Sequence, residues 1–160
     1  MTDPRSLPYR RNVGAMLFNA RGDLFLARRS DMAEGIWQCP QGGIDDGEDP
    51  DRAIMRELGE EIGTANAVVL GVYPEWISYD LPDHLIGKAL GGRYRGQTQR
   101  WYALRFLGTD RDIRLDQHLP AEFDRWQWVL PTDVPDFNLG FKKPIYETLL
   151  PALSALAPPL

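Results

Sequence analysis

Three glutamates, Glu57, Glu60 and Glu61, stand at i, i+3 and i+4 in a stretch whose apolar residues recur with helical spacing. On a helix that spacing converges three carboxylates on one patch. Like charges so placed destabilise an isolated helix by roughly a few tenths of a kcal/mol per pair, so the patch calls for a cation. Arg56, beside Glu57, and Arg52, a turn earlier, offset part of the charge, and a hard divalent ion would offset more. An all-oxygen set suits Mg²⁺, with Mn²⁺ or another hard divalent cation as a substitute, and does not suit zinc or copper. The chemistry available to such a centre is activation of a water bound to the metal. The plain alternative is a solvated acidic helix face.

The elements that must hold these side chains are readable around them. Asp49 is a good N-cap, Pro50 suits the first helical position and Gly63 suits a left-handed stop, which predicts a helix from Asp49 to Ile62. Ile54, Leu58 and Ile62 form its core stripe. Apolar runs at 12–18 and 24–27, joined by the turn formers of 19–23, predict a β-hairpin. Ala67 to Trp76, Gln99 to Leu107 and Phe123 to Leu130 supply further strands. Lys143 to about Leu156 reads as a second helix that Pro151 should kink or interrupt. The stretch from Tyr79 to Gly96, rich in glycine and without period, predicts a functional or mobile loop. The tail from Ala157 to Leu160 is expected to fray. Trp37, Trp101, Trp126 and Trp128 read as core. Strands outnumber widely separated helices, so an α+β or layered αβα domain fits better than a doubly wound sheet.

With 160 residues and 43% apolar content the chain suits one domain spanning 1–160. Its 23 acidic and 18 basic side chains give a net charge of −5. That balance argues against coating DNA or an anionic membrane, since both draw their affinity from clustered Lys and Arg. A phosphorylated substrate stays open, because fifteen of the bases are Arg, the side chain that grips phosphate in bidentate fashion. The single cysteine, Cys39, excludes an intrachain disulfide framework and a Cys-rich zinc site. With no signal-like start and no apolar run near the roughly 20 residues of a membrane helix, a soluble, cytoplasmic protein is expected. His84 and His118 show no ligand spacing. Residues 42–61 hold eight acids and two bases, a local charge of −6 that leaves +1 for the rest of the chain. Bound divalent cations would bring that segment closer to neutral.

Gly42, five residues, Glu48, seven residues, then Arg56-Glu57-Leu58-x-Glu60-Glu61-x-Gly63 resembles the signature of the Nudix hydrolases. At roughly 5–10% usage per residue type, eight such coincidences arise on the order of once in 10⁹ starting positions. Thr64 departs from the pattern at a packing position that is aliphatic in the family. The resemblance implies an αβα sandwich with a mixed central sheet and an acidic catalytic loop-helix-loop. It also implies that Glu57, Glu60, Glu61 and the Gly42 carbonyl hold Mg²⁺, that Arg56 orients the carboxylates and that Glu48 supports the helix start.

Further blocks extend the likeness: Tyr9-Arg10-Arg11-Asn12-Val13-Gly14, Trp37 to Gly43, Trp76 to Pro82, Gly96 to Trp101 and Glu122 to Trp128. They resemble the branch that contains bacterial RNA pyrophosphohydrolases and plant-type asymmetric diadenosine tetraphosphate hydrolases. In that branch the position of Glu122 is a further metal ligand or base. Arg10, Arg29 and Lys142 resemble residues that contact the phosphate chain or nucleotide, Tyr79 and Phe141 those that frame a base, and Gln41 one that lines the phosphate site. The implied activity is Mg²⁺-dependent removal of pyrophosphate from the 5′-triphosphate end of RNA. Hydrolysis of diadenosine tetraphosphate to ATP and AMP is the alternative, which the Gly91-Gly92-Arg93-Tyr94-Arg95-Gly96 segment resembles somewhat more. A nucleotide-binding sensor without catalysis and a housecleaning or nucleotide-sugar enzyme are further readings. The expected partner is the nucleotide substrate, an RNA 5′ end or a dinucleoside polyphosphate, with no DNA and no membrane; the sequence leaves the oligomeric state open, with a monomer favoured.

Overall fold

A computed structural model describes residues 3–160. Its strands are β1 (Tyr9–Phe18), β2 (Leu24–Arg29), β3 (Trp37–Gln38), β4 (Gln41–Gly43), β5 (Ala67–Val72), β6 (Ile77–Asp80), β7 (Gly96–Phe106) and β8 (Phe123–Val129). Two α-helices, α1 (Pro50–Ile62) and α2 (Lys143–Ser154), accompany them. The strands form one mixed sheet whose main path runs β3-β2-β1-β7-β5. β4 pairs with β1, β6 with β7 and β8 with β2. β1 and β7 run parallel from Tyr9 opposite Gly96 to Phe18 opposite Arg105, and the other pairings are antiparallel.

Strand alternation sorts the side chains onto two faces, and each face has its own helix. Met16 and Phe18 of β1 and Trp101 and Ala103 of β7 pack with Tyr146, Leu149, Leu150 and Leu153 of α2. Val13, Ala15 and Leu17, with Tyr102 and Leu104, pack against Ala53, Ile54, Leu58 and Ile62 of α1. This is the expected α+β sandwich. Gly14 is required by Trp101, because a Cβ there would lie 2.6 Å from the buried indole. Trp101 is buried, while Trp37, Trp126 and Trp128 are partly buried against the two clusters.

Several element boundaries differ from the sequence expectation. The strand begun at Ala67 stops at Val72 instead of reaching Trp76. Tyr73 N donates the last ladder bond, to Trp101 O at 2.8 Å, and Pro74 has no N–H with which to continue. The chain resumes pairing with β7 as β6, so the irregular loop starts after Asp80 rather than at Tyr79. It contains 3₁₀ turns at Asp83–Leu85 and Ala89–Gly92. α2 runs through Pro151 without interruption and ends at Ser154. The proline removes one hydrogen bond on the exposed side, while Leu149, Leu150 and Leu153 stay buried on the other.

The tail is tethered where fraying was expected. Ala157 is buried, and Leu160 N donates to Ala20 O at 2.8 Å. Arg105, 5% exposed, donates from Nη1 to Asn19 O at 2.5 Å and from Nη2 to Pro158 O at 2.6 Å. One buried guanidinium thus ties the β1–β2 turn to the last residues. Among the described residues no helix is long and apolar enough to cross a membrane. Replacing Arg105 by Met strands two carbonyls, and chemical denaturation should show a loss of about 2 kcal/mol or more. An unchanged midpoint would mean that the tail is held by packing alone.

Candidate active site

Local chemistry builds α1 as its sequence suggests. The Asp49 carboxylate accepts from Asp51 N at 2.9 Å, Pro50 opens the helix, and Gly63 closes it at φ 80°, with its N–H on Gly59 O at 3.0 Å. Asp51 also takes the Tyr102 hydroxyl at 2.5 Å, which pins the first turn to β7. The helix crosses β4, whose Gln41, Gly42 and Gly43 lie opposite Gly14, Val13 and Asn12 of β1. Both glycines make room for charge. A Cβ on Gly42 would fall within the Glu57 carboxylate, and one on Gly43 would meet the Arg10 guanidinium.

Arg56 is the hub of the acidic segment. It grips Glu48 through Nε and Nη2, both at 2.8 Å, and donates from Nη2 to Gly43 O at 2.9 Å. Nη1 reaches Glu57 at 2.9 Å and Glu60 at 3.2 Å, and Asp45 stands 3.6 Å from Nε. Glu48 is held down to about 2, chiefly by its hydrogen bond from Arg56, so this pair stays ionised through neutral and mildly acid pH. Arg52 takes no part in this network, since among the described residues it forms no ion pair with these glutamates.

The three glutamates of the arc do not stand alike. Glu60 is half-exposed, Glu57 is largely covered, and Glu61 turns inward, 8% exposed, accepting from Gln41 N at 3.1 Å. Burial pushes the Glu57 carboxyl up to about 7 against the pull of Arg56. Burial also lifts Glu61 well above the carboxylate range, and the charges of Glu122 and Glu57 add to the lift. Glu122, at the foot of β8, is exposed and lies 3.6 Å from Arg29 Nε. The four carboxylates therefore share one neighbourhood. No three His, Cys, Asp or Glu side chains among the described residues close around a single ion position. Glu57 and Glu60 are turned to Arg56 and Glu61 to the Gln41 amide. The donor set is nonetheless all oxygen, with buried carboxylates that raise one another and a cradle that a side chain at Gly42 would fill, and it fits a hard divalent cation.

Tyr79, Phe141, Lys142 and Gln41 gather towards the α2 side of the sheet, while Arg29, opposite Phe123, lies on the α1 side. Arg29 holds Asp31 in bidentate fashion, at 2.9 and 2.6 Å, and reaches Gln38 Oε1 at 3.3 Å. The Tyr79 and Phe141 rings lie 5.6 Å apart at 57°, with Phe141 exposed. Lys142 Nζ sits 5.5 Å from the Tyr79 ring centre, and burial lowers its amine to about 8. Gln41 is buried and accepts from Gln99 Nε2 at 3.2 Å.

Sequence reasoning missed the amides around them. Asn12, Gln38, Gln97 and Gln99 are all at most 5% exposed. Gln99 Nε2 donates to Asn12 Oδ1 at 2.9 Å, its Oε1 takes the Trp101 indole N–H at 3.1 Å, and Gln97 Nε2 meets the Tyr79 hydroxyl at 2.6 Å. The available signal was polar residues at inward positions of strands that are otherwise apolar.

The NUDIX domain family model matches residues 8–152. A curated RNA pyrophosphohydrolase of Gluconacetobacter diazotrophicus is 60% identical over 157 residues, covering 94% of each chain. Another, from Gluconobacter oxydans, is 60% identical and covers 98% of this chain and 92% of that one. Among solved structures, a C. elegans Ap4A hydrolase binary complex aligns with a TM-score of 0.64 at 18% identity, covering 91% of this chain and 98% of its own. The E. coli dihydroneopterin triphosphate pyrophosphohydrolase aligns with a TM-score of 0.66 at 16% identity, covering 91% and 99%. At those identities the structures speak for the fold.

Substituting Arg56 by Gln removes charge-assisted bonds to three glutamates. Urea denaturation near neutral pH should show a loss of about 2–3 kcal/mol. A midpoint equal to wild type would mean that the guanidinium adds no net stability.

Proposed function

The chain belongs to the Nudix hydrolase family, and on that premise we propose that it removes pyrophosphate from the 5′-triphosphate end of RNA, using Mg²⁺ as its divalent cation. The observation that carries this reading is the packing of Glu57 against side-chain-free Gly42 while Glu61 takes the Gln41 amide of the same strand. End-to-end identity with relatives named RNA pyrophosphohydrolase supports the choice of substrate. The cytoplasm suits its single, buried cysteine.

Glu57, Glu60, Glu61, Glu122 and the Gly42 carbonyl would hold the cations. When bound, these offset phosphate charge and acidify water. The protein's own part is placement. Arg56 fixes the angle between the helix acids and the loop, and Gln41 N anchors Glu61 from beneath. Arg10, Arg29 and Lys142 supply positive charge along the cleft for the phosphate chain, and Gln41 lines it. Tyr79 and Phe141 offer a base two aromatic walls, which serve any base because every base has a π-face.

The test is parallel kcat/KM on triphosphorylated RNA and on diadenosine tetraphosphate, with Mg²⁺ or Mn²⁺ and with chelator. RNA should be the better substrate and chelator should abolish turnover. Arg56→Lys should lower kcat about 10–100-fold, as loss of a partner that orients metal-holding groups does. Glu61→Gln should cost more than that while retaining its fold by circular dichroism. A strong preference for the dinucleotide would overturn the RNA assignment, and a folded Glu61→Gln as active as wild type would overturn the assignment of the site.

A further inference from the structure

Arg29 stands at a break in the strand register. From Leu24 opposite Val129 to Arg28 opposite Arg125, β2 and β8 pair residue for residue, and then the register jumps so that Arg29 meets Phe123. A bulge of this kind re-aims the side chain beside it. Here it brings Arg29 next to Glu122 and leaves Asp124 to Arg28, which holds that carboxylate at 2.8 and 2.9 Å. Ser30 fastens the following turn to the same point. Its N–H donates to Glu122 O at 3.0 Å, and its hydroxyl donates to Ala121 O at 2.5 Å.

Asp31 comes next on this anchored turn. Its carboxylate accepts from Arg29 Nε at 2.9 Å and from Nη2 at 2.6 Å, while Gln38 Oε1 accepts from Nη1 at 3.3 Å. Three of the five guanidinium N–H groups are thereby used, and one on each terminal nitrogen is left. The guanidinium lies 3.6 Å from Glu122, and its charge acts on Glu61 as well as on Tyr79 and Lys142. Stability does not account for the pair with Asp31. That carboxylate is 60% exposed, and exposed ion pairs add little. Its charge would also oppose a polyanion in the cleft. What a side-on carboxylate supplies is direction, because two parallel bonds fix the plane of the guanidinium.

We infer that Asp31 is a positioning residue, which fixes the plane of the Arg29 guanidinium so that its two remaining N–H groups meet the phosphate chain of the substrate beside Glu122. The inference rests on the nucleotide substrate proposed above. Charge and placement make opposite predictions for the loss of this acid. On charge alone, a cleft without Asp31 holds a polyanion more tightly. On placement, it holds the polyanion less tightly, because Arg29 is no longer aimed.

The test is a double-mutant cycle of Asp31→Ala with Arg29→Gln, read as KM and kcat on triphosphorylated RNA. Asp31→Ala should raise KM by on the order of tenfold, and it should raise it no further once Arg29 is replaced. Asp31→Asn, which loses the charge but keeps one acceptor, should fall between wild type and Asp31→Ala. A variant that merely folds less well would lose kcat at an unchanged KM. An unchanged or lowered KM in Asp31→Ala overturns the inference, and so does a rise that persists in full beside Arg29→Gln. If diadenosine tetraphosphate is cleaved and RNA is not, the RNA reading falls and the same cycle on the tetraphosphate decides this one. If neither is cleaved, the cycle is read as Kd for inorganic pyrophosphate with Mg²⁺, by the same criterion.

Discussion

Arg56 has more acceptors around it than any other side chain in the site, and its position constrains everything nearby. A guanidinium offers five N–H donors in a rigid plane. Here that plane meets Glu48, Glu57, Glu60 and the Gly43 carbonyl at once. At an effective dielectric near 20, two unit charges 4 Å apart interact by about 4 kcal/mol, so the attraction exceeds the few tenths by which neighbouring acids on a helix repel. The loop of residues 44–48 is thereby folded back onto the helix that follows it, and the helix is held to the Gly-Gly strand. A lysine would bring the charge without the plane, and could not face both the bidentate Glu48 and the carbonyl.

The acidic helix was legible because its instructions are local. Asp49, Pro50 and Gly63 act on the turns next to them, and the stripe of Ile54, Leu58 and Ile62 names the buried face directly. What the spacing does not show is that Glu61, a turn beyond Glu57, is drawn inside by the Gln41 amide. That partner lies twenty residues upstream, on a strand of three residues that is too short to show a period. β3, with two residues, escaped for the same reason. The tail was misread because Arg105, a charged residue on an apolar strand, gives no sign in sequence that it grips carbonyls at two distant turns.

The sheet separates two chemistries. Its α1 side carries the acids, arranged by a helix whose pitch sets their spacing. Its α2 side carries neutral amides and aromatics, arranged by ladders whose rungs set theirs: Arg10 beside Gln97 and Asn12 beside Gln99 are neighbours in the β1–β7 pairing. Gly42 and Gly43 lie where the two arrangements touch, one glycine clearing each side. A cleft so divided can hold a polyanion against the acids, once their charge is offset, while keeping the uncharged end of the same molecule against the amides.

The parallel pairing of β1 with β7 also has a history in time. Tyr9 lies opposite Gly96, so the first strand leaves the ribosome about 87 residues before the one beside it. At roughly 5–20 residues per second, that wait is about 4–17 s. During it the chain has its acidic helix but no β7 on which to complete the cleft, and the exposed edge of β1 stays without its main partner. Arg105, at the last rung of the β1–β7 ladder, then waits for Pro158 before its second bond can form. The growing chain therefore carries its acidic helix long before the site is finished, because β7, Glu122 and the Gly140–Lys142 turn all come later in the sequence.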